Sequence, residues 1–201
     1  HKRDCLRVLV CSNLTPYTIN FGKRVRVTGL SISSPYFCNE DKVISKTRWQ
    51  DFRFVPKILI RGNDTRITAT LDKEGSVFIG VYGIKIENNI SQESKTLLAC
   101  LNSRLYQWIF AMQNPSIKIG GDFFSINAPH ILRLPFKQSD KKQREEIDQM
   151  VDKILAITKD DDYLQNEAKQ KKVKEYEKKI DEMVYKLYGL SDKEIKVIEE
   201  A

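Results

Sequence analysis

The sequence predicts an α+β fold. A mostly antiparallel, β-rich domain with one packed helix covers residues 1–138, and a helical spacer or packing region built as a long hairpin covers residues 139–201. Three observations predict it. Between residues 55 and 86, short β-branched runs alternate with polar turns, which is the pattern of paired strands. After residue 138 the apolar residues recur at steps of three and four, the pattern of amphipathic helices. Charge changes at the same point: residues 1–138 carry 20 Lys and Arg against 10 Asp and Glu, whereas residues 139–201 carry 14 against 17.

The elements follow in order. Leu6-Arg7-Val8-Leu9-Val10 is a short β-like run. Arg24-Val25-Arg26-Val27 alternates, as a strand with one wet basic face does. Pro16, Gly22, Gly29 and Ser34-Pro35 punctuate these runs as turns. Val55 to Arg61 reads as a strand, Gly62-Asn63-Asp64 as a turn, and Arg66 to Leu71 as a second strand. Asp72-Lys73-Glu74-Gly75 turns the chain again into a third strand, Val77 to Tyr82, which Ile84-Lys85-Ile86 continues past Gly83. Three strands joined by short turns predict an antiparallel meander.

A polar stretch over 88–94 then caps a helix over 95–113, ended by Asn114-Pro115. Residues 116–129 read as a Gly-containing loop, and Ile131 to Phe136 as a short strand stopped at Pro135. In the tail, residues 143–158 form an amphipathic helix. Asp160-Asp161-Asp162 opens a second helix at its positive dipole end, running to about Tyr188. Its Val173, Tyr176, Ile180, Met183 and Leu187 form a heptad seam. Gly189 is its C-cap, and Ser191-Asp192-Lys193-Glu194 is a capping box for a last short helix.

Composition excludes several classes. The 201 residues are 41% hydrophobic and 30% charged, which suits a globular chain. No apolar run reaches the ~18–20 residues of a membrane-spanning helix, so no membrane partner is expected. The chain starts at His1 without a signal peptide and reads as an excised piece of a longer protein, with His1 a remnant. Cys5, Cys11, Cys38 and Cys100 form no C-x-x-C pair, which predicts a reducing, cytoplasmic setting without a disulfide framework or structural metal. Cys100, inside an apolar helical pattern, reads as a buried thiol. No phosphate-cradling glycine loop, dinucleotide fingerprint or nucleophile elbow occurs, so the piece by itself is not expected to be an enzyme. The net charge of +7, concentrated in the front, points to a polyanion partner.

Four stretches in order resemble a known family. They are Pro56-Lys57-Ile58-Leu59-Ile60-Arg61 with Arg66-Ile67-Thr68-Ala69-Thr70-Leu71-Asp72, then Leu98-Ala99-Cys100-Leu101-Asn102-Ser103-Arg104-Leu105, then Leu132-Arg133-Leu134-Pro135-Phe136, then Ile180 through Leu190. Together they are similar to the TaqI-like C-terminal specificity domains, the target recognition domains of adenine-N6 DNA methyltransferases and type IIG restriction–modification enzymes. The resemblance covers roughly residues 50–195. It implies sequence-specific recognition of double-stranded DNA that directs adenine-N6 methylation, with or without cleavage, by a catalytic domain of the same polypeptide upstream. The Asn/Asp-Pro-Pro-Tyr/Phe hallmark of the methyltransferase is absent; Asn127-Ala128-Pro129-His130 is not one. The resemblance therefore implies no cofactor in this piece, and S-adenosylmethionine, with Mg2+ for a cutting enzyme, in the parent.

Candidate DNA contacts follow from side-chain chemistry. Arg61, Asn63 and Arg66 flank the first hairpin turn, and Arg and Asn can take bidentate bonds to guanine and adenine. Arg48-Trp49 offers a cation and an aromatic face, and Lys118 in the Gly-containing loop could meet a phosphate. Lys57 and Lys85, on strands, complete the set. Each has a structural alternative. Arg61 can pair with Asp64 or Asp72, Trp49 can be core or lid, and Asn102-Ser103 can serve helix packing or capping. Tyr82, Tyr106 and Phe110 read as core. Two other functions compete: a helical scaffold or oligomerisation module built on the heptad seam, and one half of a type I restriction specificity subunit. The second needs another recognition half, and this chain contains no internal repeat.

Overall fold

The computed structural model describes residues 5–27, 29–38, 48–87, 93–117 and 119–201, and of Arg48 only the backbone. The architecture is α+β. Small sheets pack on a layer of helices, and the C-terminal helices share the main core with the sheet rather than standing apart.

The central strand is β7 (Lys57–Arg61). It lies between β9 (Ala69–Asp72) and β11 (Val81–Lys85), antiparallel to both. Ile58 and Ile60 face the main core, whereas Leu59 faces a second cluster with Leu9, Leu14 and Val81. A strand covered on both faces explains the uninterrupted apolar run Ile58-Leu59-Ile60. The order β11-β7-β9 replaces the expected meander. The stretch read as one third strand is two: β10 (Val77–Ile79) pairs in parallel with β1 (Cys5–Val10), the chain turns at Gly80, and β11 returns to β7. β1 also pairs antiparallel with β6 (Tyr36–Cys38).

Two-stranded pieces complete the β layer: β2 (Leu14–Thr15) with β3 (Thr18–Ile19), β4 (Arg24–Val27) with β5 (Leu30–Ser33), and β8 (Asn63–Asp64) with β12 (Phe124–Ser125). The residues expected as a simple turn at 62–64 therefore include a short strand. Cys5 and Cys38 are directly paired across β1 and β6, 4.3 Å apart at Cα, and form a disulfide. This corrects the expectation of no disulfide: the two cysteines are 33 residues apart, and only the strand register brings them opposite one another. Cys11 and Cys100 remain thiols, and burial pushes Cys100 up to about 12.

The helix expected over 95–113 is two helices, α1 (Ser94–Asn102) and α2 (Arg104–Gln113). Ser103 is extended at φ −71° and ψ 155°, and its hydroxyl accepts the Tyr106 N–H at 3.3 Å. The polar stretch expected to cap the first helix lies, from 88 to 92, outside the described residues. The strand expected at 131–136 is instead the end of α3 (Ala128–Leu132) and an irregular segment. Asn127 caps α3 and Pro129 sits in its first turn, where its missing N–H costs nothing.

In the tail, α4 (Lys141–Thr158) packs along α5 (Glu167–Tyr188), and α6 (Asp192–Glu200) closes over α2. α5 has 22 residues, fewer than expected, because Asn166 rather than the 160–162 acidic run is its N-cap. Asp160 pairs with Lys169 at 2.9 Å instead, and Asp162 bonds the same ammonium. Gly189 in the left-handed region and the Ser191–Glu194 capping box end α5 and begin α6 as the sequence indicates. No helix among the described residues is long and apolar enough to cross a membrane.

Candidate nucleic-acid interface

The turn after β7 is built around two residues. A side chain at Gly62 would meet the Gly80 carbonyl at 2.5 Å, so only glycine allows the backbones to cross there. The Gly62 N–H donates to that carbonyl at 3.1 Å, and its own carbonyl accepts the Ile126 N–H at 2.8 Å. Asp64 organises the far side, accepting the Thr65 N–H at 2.8 Å, the Thr68 hydroxyl at 2.6 Å and the Arg61 guanidinium at 3.1 Å. Arg61 is thus held by Asp64, the structural alternative weighed for it. Asn63 and Arg66 are exposed on the same turn, and the Glu177 carboxylate of α5 faces Arg66 across a cleft.

The other candidates lie elsewhere. Lys57, at the opposite end of β7, is fully buried, and its ammonium donates to Asp72 at 3.0 Å and to the Val55 carbonyl at 2.8 Å. Burial lowers its pKa and the Asp72 charge opposes that. Lys57 shares a strand face with Leu59, and the N-terminal strands cover that face, so its side chain does not reach the surface. This corrects its reading as a contact open to a duplex. Lys85, its register partner on β11, is partly exposed, 3.6 Å from Glu87 and 5.6 Å from the Phe52 ring centre. Trp49 packs on the Leu6, Val8 and Val77 cluster, its ring edge-on to Phe37 and its N–H donating to the Phe78 carbonyl at 2.8 Å. The Arg48 side chain and Lys118 lie outside the described residues. The structure therefore brings Arg61, Asn63 and Arg66 together and places Lys57 and Lys85 at the other end of the sheet.

The helix break serves packing. The Asn102 amide accepts the Ala69 N–H at 3.0 Å and donates to the Ala69 carbonyl at 3.0 Å. Gln107 does the same to Ile67, at 2.6 and 3.2 Å. Two side-chain amides thus bond the backbone at Ile67 and Ala69, where the chain enters β9, and the Ala69 carbonyl also accepts the Tyr17 N–H at 3.1 Å. Tyr106 and Phe110 are core as expected, but Tyr82 is exposed, and with Leu97, Leu132 and Phe136 it lines an apolar groove.

Sequence reasoning left one basic element out of the candidate list. In the β4–β5 ribbon, Arg24 lies opposite Ser33 and Arg26 opposite Ser31. All four are exposed, and Val25, between the two arginines, is buried. The Arg-x-Arg alternation was the signal. Among the described residues neither guanidinium has an ion-pair partner. Among them, too, no cluster of His, Cys, Asp and Glu could hold a metal ion.

The family of the resemblance is found, but over other bounds: the match begins well ahead of residue 50 and leaves the fourth stretch, Ile180 through Leu190, outside it. The sequence pattern of the TaqI-like C-terminal specificity domain matches residues 8–136. No curated protein matches the chain.

Proposed function

The chain belongs to the TaqI-like C-terminal specificity domain family, and from that membership we propose that it reads a short sequence in double-stranded DNA for a restriction–modification enzyme. The match over residues 8–136 is the observation that carries this reading. Arg24 and Arg26, exposed and without an ion-pair partner among the described residues, support it, because a phosphate backbone is the partner such a surface attracts. We place the chemistry on a catalytic domain of the same polypeptide that methylates adenine at N6, with or without cleavage. S-adenosylmethionine, and Mg2+ for cleavage, belong to that domain in this reading. This chain supplies position and selectivity, since phosphate contacts set register and base contacts set sequence.

Selection from randomised duplexes tests the reading. The expected outcome is an enriched short site, bound with an affinity that falls steeply as salt rises. Binding without any enriched site would falsify it, whatever its salt dependence. The scaffold reading loses its supporting feature, because Val173, Ile180 and Leu187 of the heptad seam are buried within this chain.

A further inference from the structure

We propose that the β4–β5 ribbon enters the major groove of duplex DNA, with Arg24 and Arg26 as base-reading side chains and Ser31 and Ser33 beside them. The inference rests on the recognition function proposed above and names the element that carries it.

The pleat sets the chemistry. Residues two apart on a strand share a face, and the register puts Ser33 and Ser31 directly across from Arg24 and Arg26. One face of the ribbon is therefore two guanidiniums and two hydroxyls, all in solvent. The other face is Val25, Val27, Leu30 and Ile32, with Val25 buried. Arginine forks match the O6 and N7 acceptors of guanine, and hydroxyls bond to any base edge.

The dimensions agree. Arg24 and Arg26 are separated by about 6.8 Å along the strand, which is about two base-pair steps. Two strands about 4.8 Å apart, with their side chains, fit a groove about 12 Å wide. The ribbon pairs with no other strand among the described residues. It also springs from a fixed base. Phe21 and Tyr36, just outside its two ends, meet edge to face at 5.3 Å, and Arg7 lies 4.4 Å over Phe21.

The arginine face has an electrostatic cost in water. Two arginines on one face repel each other, and no carboxylate among the described residues neutralises them. A duplex answers that cost, with phosphates and guanine acceptors around the cations. The 61–66 turn is less suited, since Asp64 already holds Arg61 and Glu177 faces Arg66.

The test uses the intact chain and a duplex library randomised at its centre. The wild type should enrich one site. Arg24→Gln and Arg26→Gln should each lose preference at one base pair, the two positions about two steps apart. Each should bind the site about ten- to a hundredfold more weakly with unchanged thermal unfolding. Arg24→Lys should lose the same preference while keeping most of the salt dependence, because lysine keeps the charge without the fork. Variants that retain the wild-type preference overturn the ribbon assignment and leave the recognition reading to other residues. Variants that weaken all sequences equally and lower only the salt slope also overturn it, because those arginines then touch phosphates. A wild type that enriches no site fails the recognition reading itself, and the ribbon assignment with it.

Discussion

Lys57 and Asp72 show how a residue's partners set the cost of losing it. Both side chains are fully buried, 3.0 Å apart. Asp72 also accepts the Ser76 N–H at 2.8 Å and the Glu74 N–H at 3.1 Å, whereas Lys57 has only Asp72 and one carbonyl. Asp72→Ala leaves a buried ammonium uncompensated and should cost about 3–5 kcal/mol in urea unfolding. Lys57→Met should cost less, because the Asp72 carboxylate keeps its backbone donors. A larger loss from Lys57→Met than from Asp72→Ala would contradict this account. Asp181 gives the pH signature. Burial raises it from 3.8 to about 6, against the Arg104 N–H that it accepts at 2.8 Å, with Glu199 and Glu177 raising it further. Between those values the folded chain binds more protons than the unfolded one, so the stability Asp181 contributes is full below 3.8 and is lost as pH rises through about 6. Asp181→Asn keeps the acceptor and cannot ionise. Its stability relative to wild type should therefore rise as pH goes from 4 to 6; a constant difference across that range would show that Asp181 does not titrate there.

At the scale of elements, the start of β9 depends on side chains from a helix junction. Asn102→Ala removes both bonds to Ala69 and leaves a buried N–H without that partner. The expected loss is about 1–3 kcal/mol. Hydrogen exchange at Ala69 should rise with it, and an unchanged rate there would show that the amide does not hold the start of the strand. The helices around this junction were legible because periodicity and capping are local: Gly189, Ser191 and the 143–158 stripe announce their roles within a few residues. The break at Ser103 was not, since Leu98, Leu101 and Leu105 keep the helical spacing across it, and the partner of the neighbouring Asn102, Ala69, is 33 residues away in the chain. The existence of β1, β4, β7 and β9 could be read, but strand order could not. Nothing near Val77 says that it pairs with Val8, or that Gly80 hands the chain to a different sheet. The same gap misplaced Lys57, whose burial comes from N-terminal strands that local patterns did not assign to that face. Arg61 could be read both as a contact and as the partner of Asp64, and the pairing is what the geometry shows. Asn127 and Pro129 carried a helix start that the apolar run after them concealed.

For the whole molecule, the decisive feature is that the tail closes the core. Ile147, Val151 and Ile154 of α4, with Val173, Ile180, Val184 and Leu187 of α5, join Ile58, Ile60, Leu98 and Leu101 in one cluster. A heptad seam in isolation signals association between chains, yet here the same residues are satisfied inside one chain. The two meanings predict different outcomes for Ile180→Glu. If the seam held two chains together, the variant would be a folded monomer with reduced self-association. With Ile180 at 1% exposure, the carboxylate instead enters an apolar core that includes Ile58 and Ile60 of the central sheet, where an unpaired charge costs several kcal/mol. The expected result is loss of cooperative unfolding by circular dichroism at every protein concentration, with the sheet lost together with the helices because one core serves both. A folded Ile180→Glu chain whose sedimentation alone changes would return the seam to an intermolecular role.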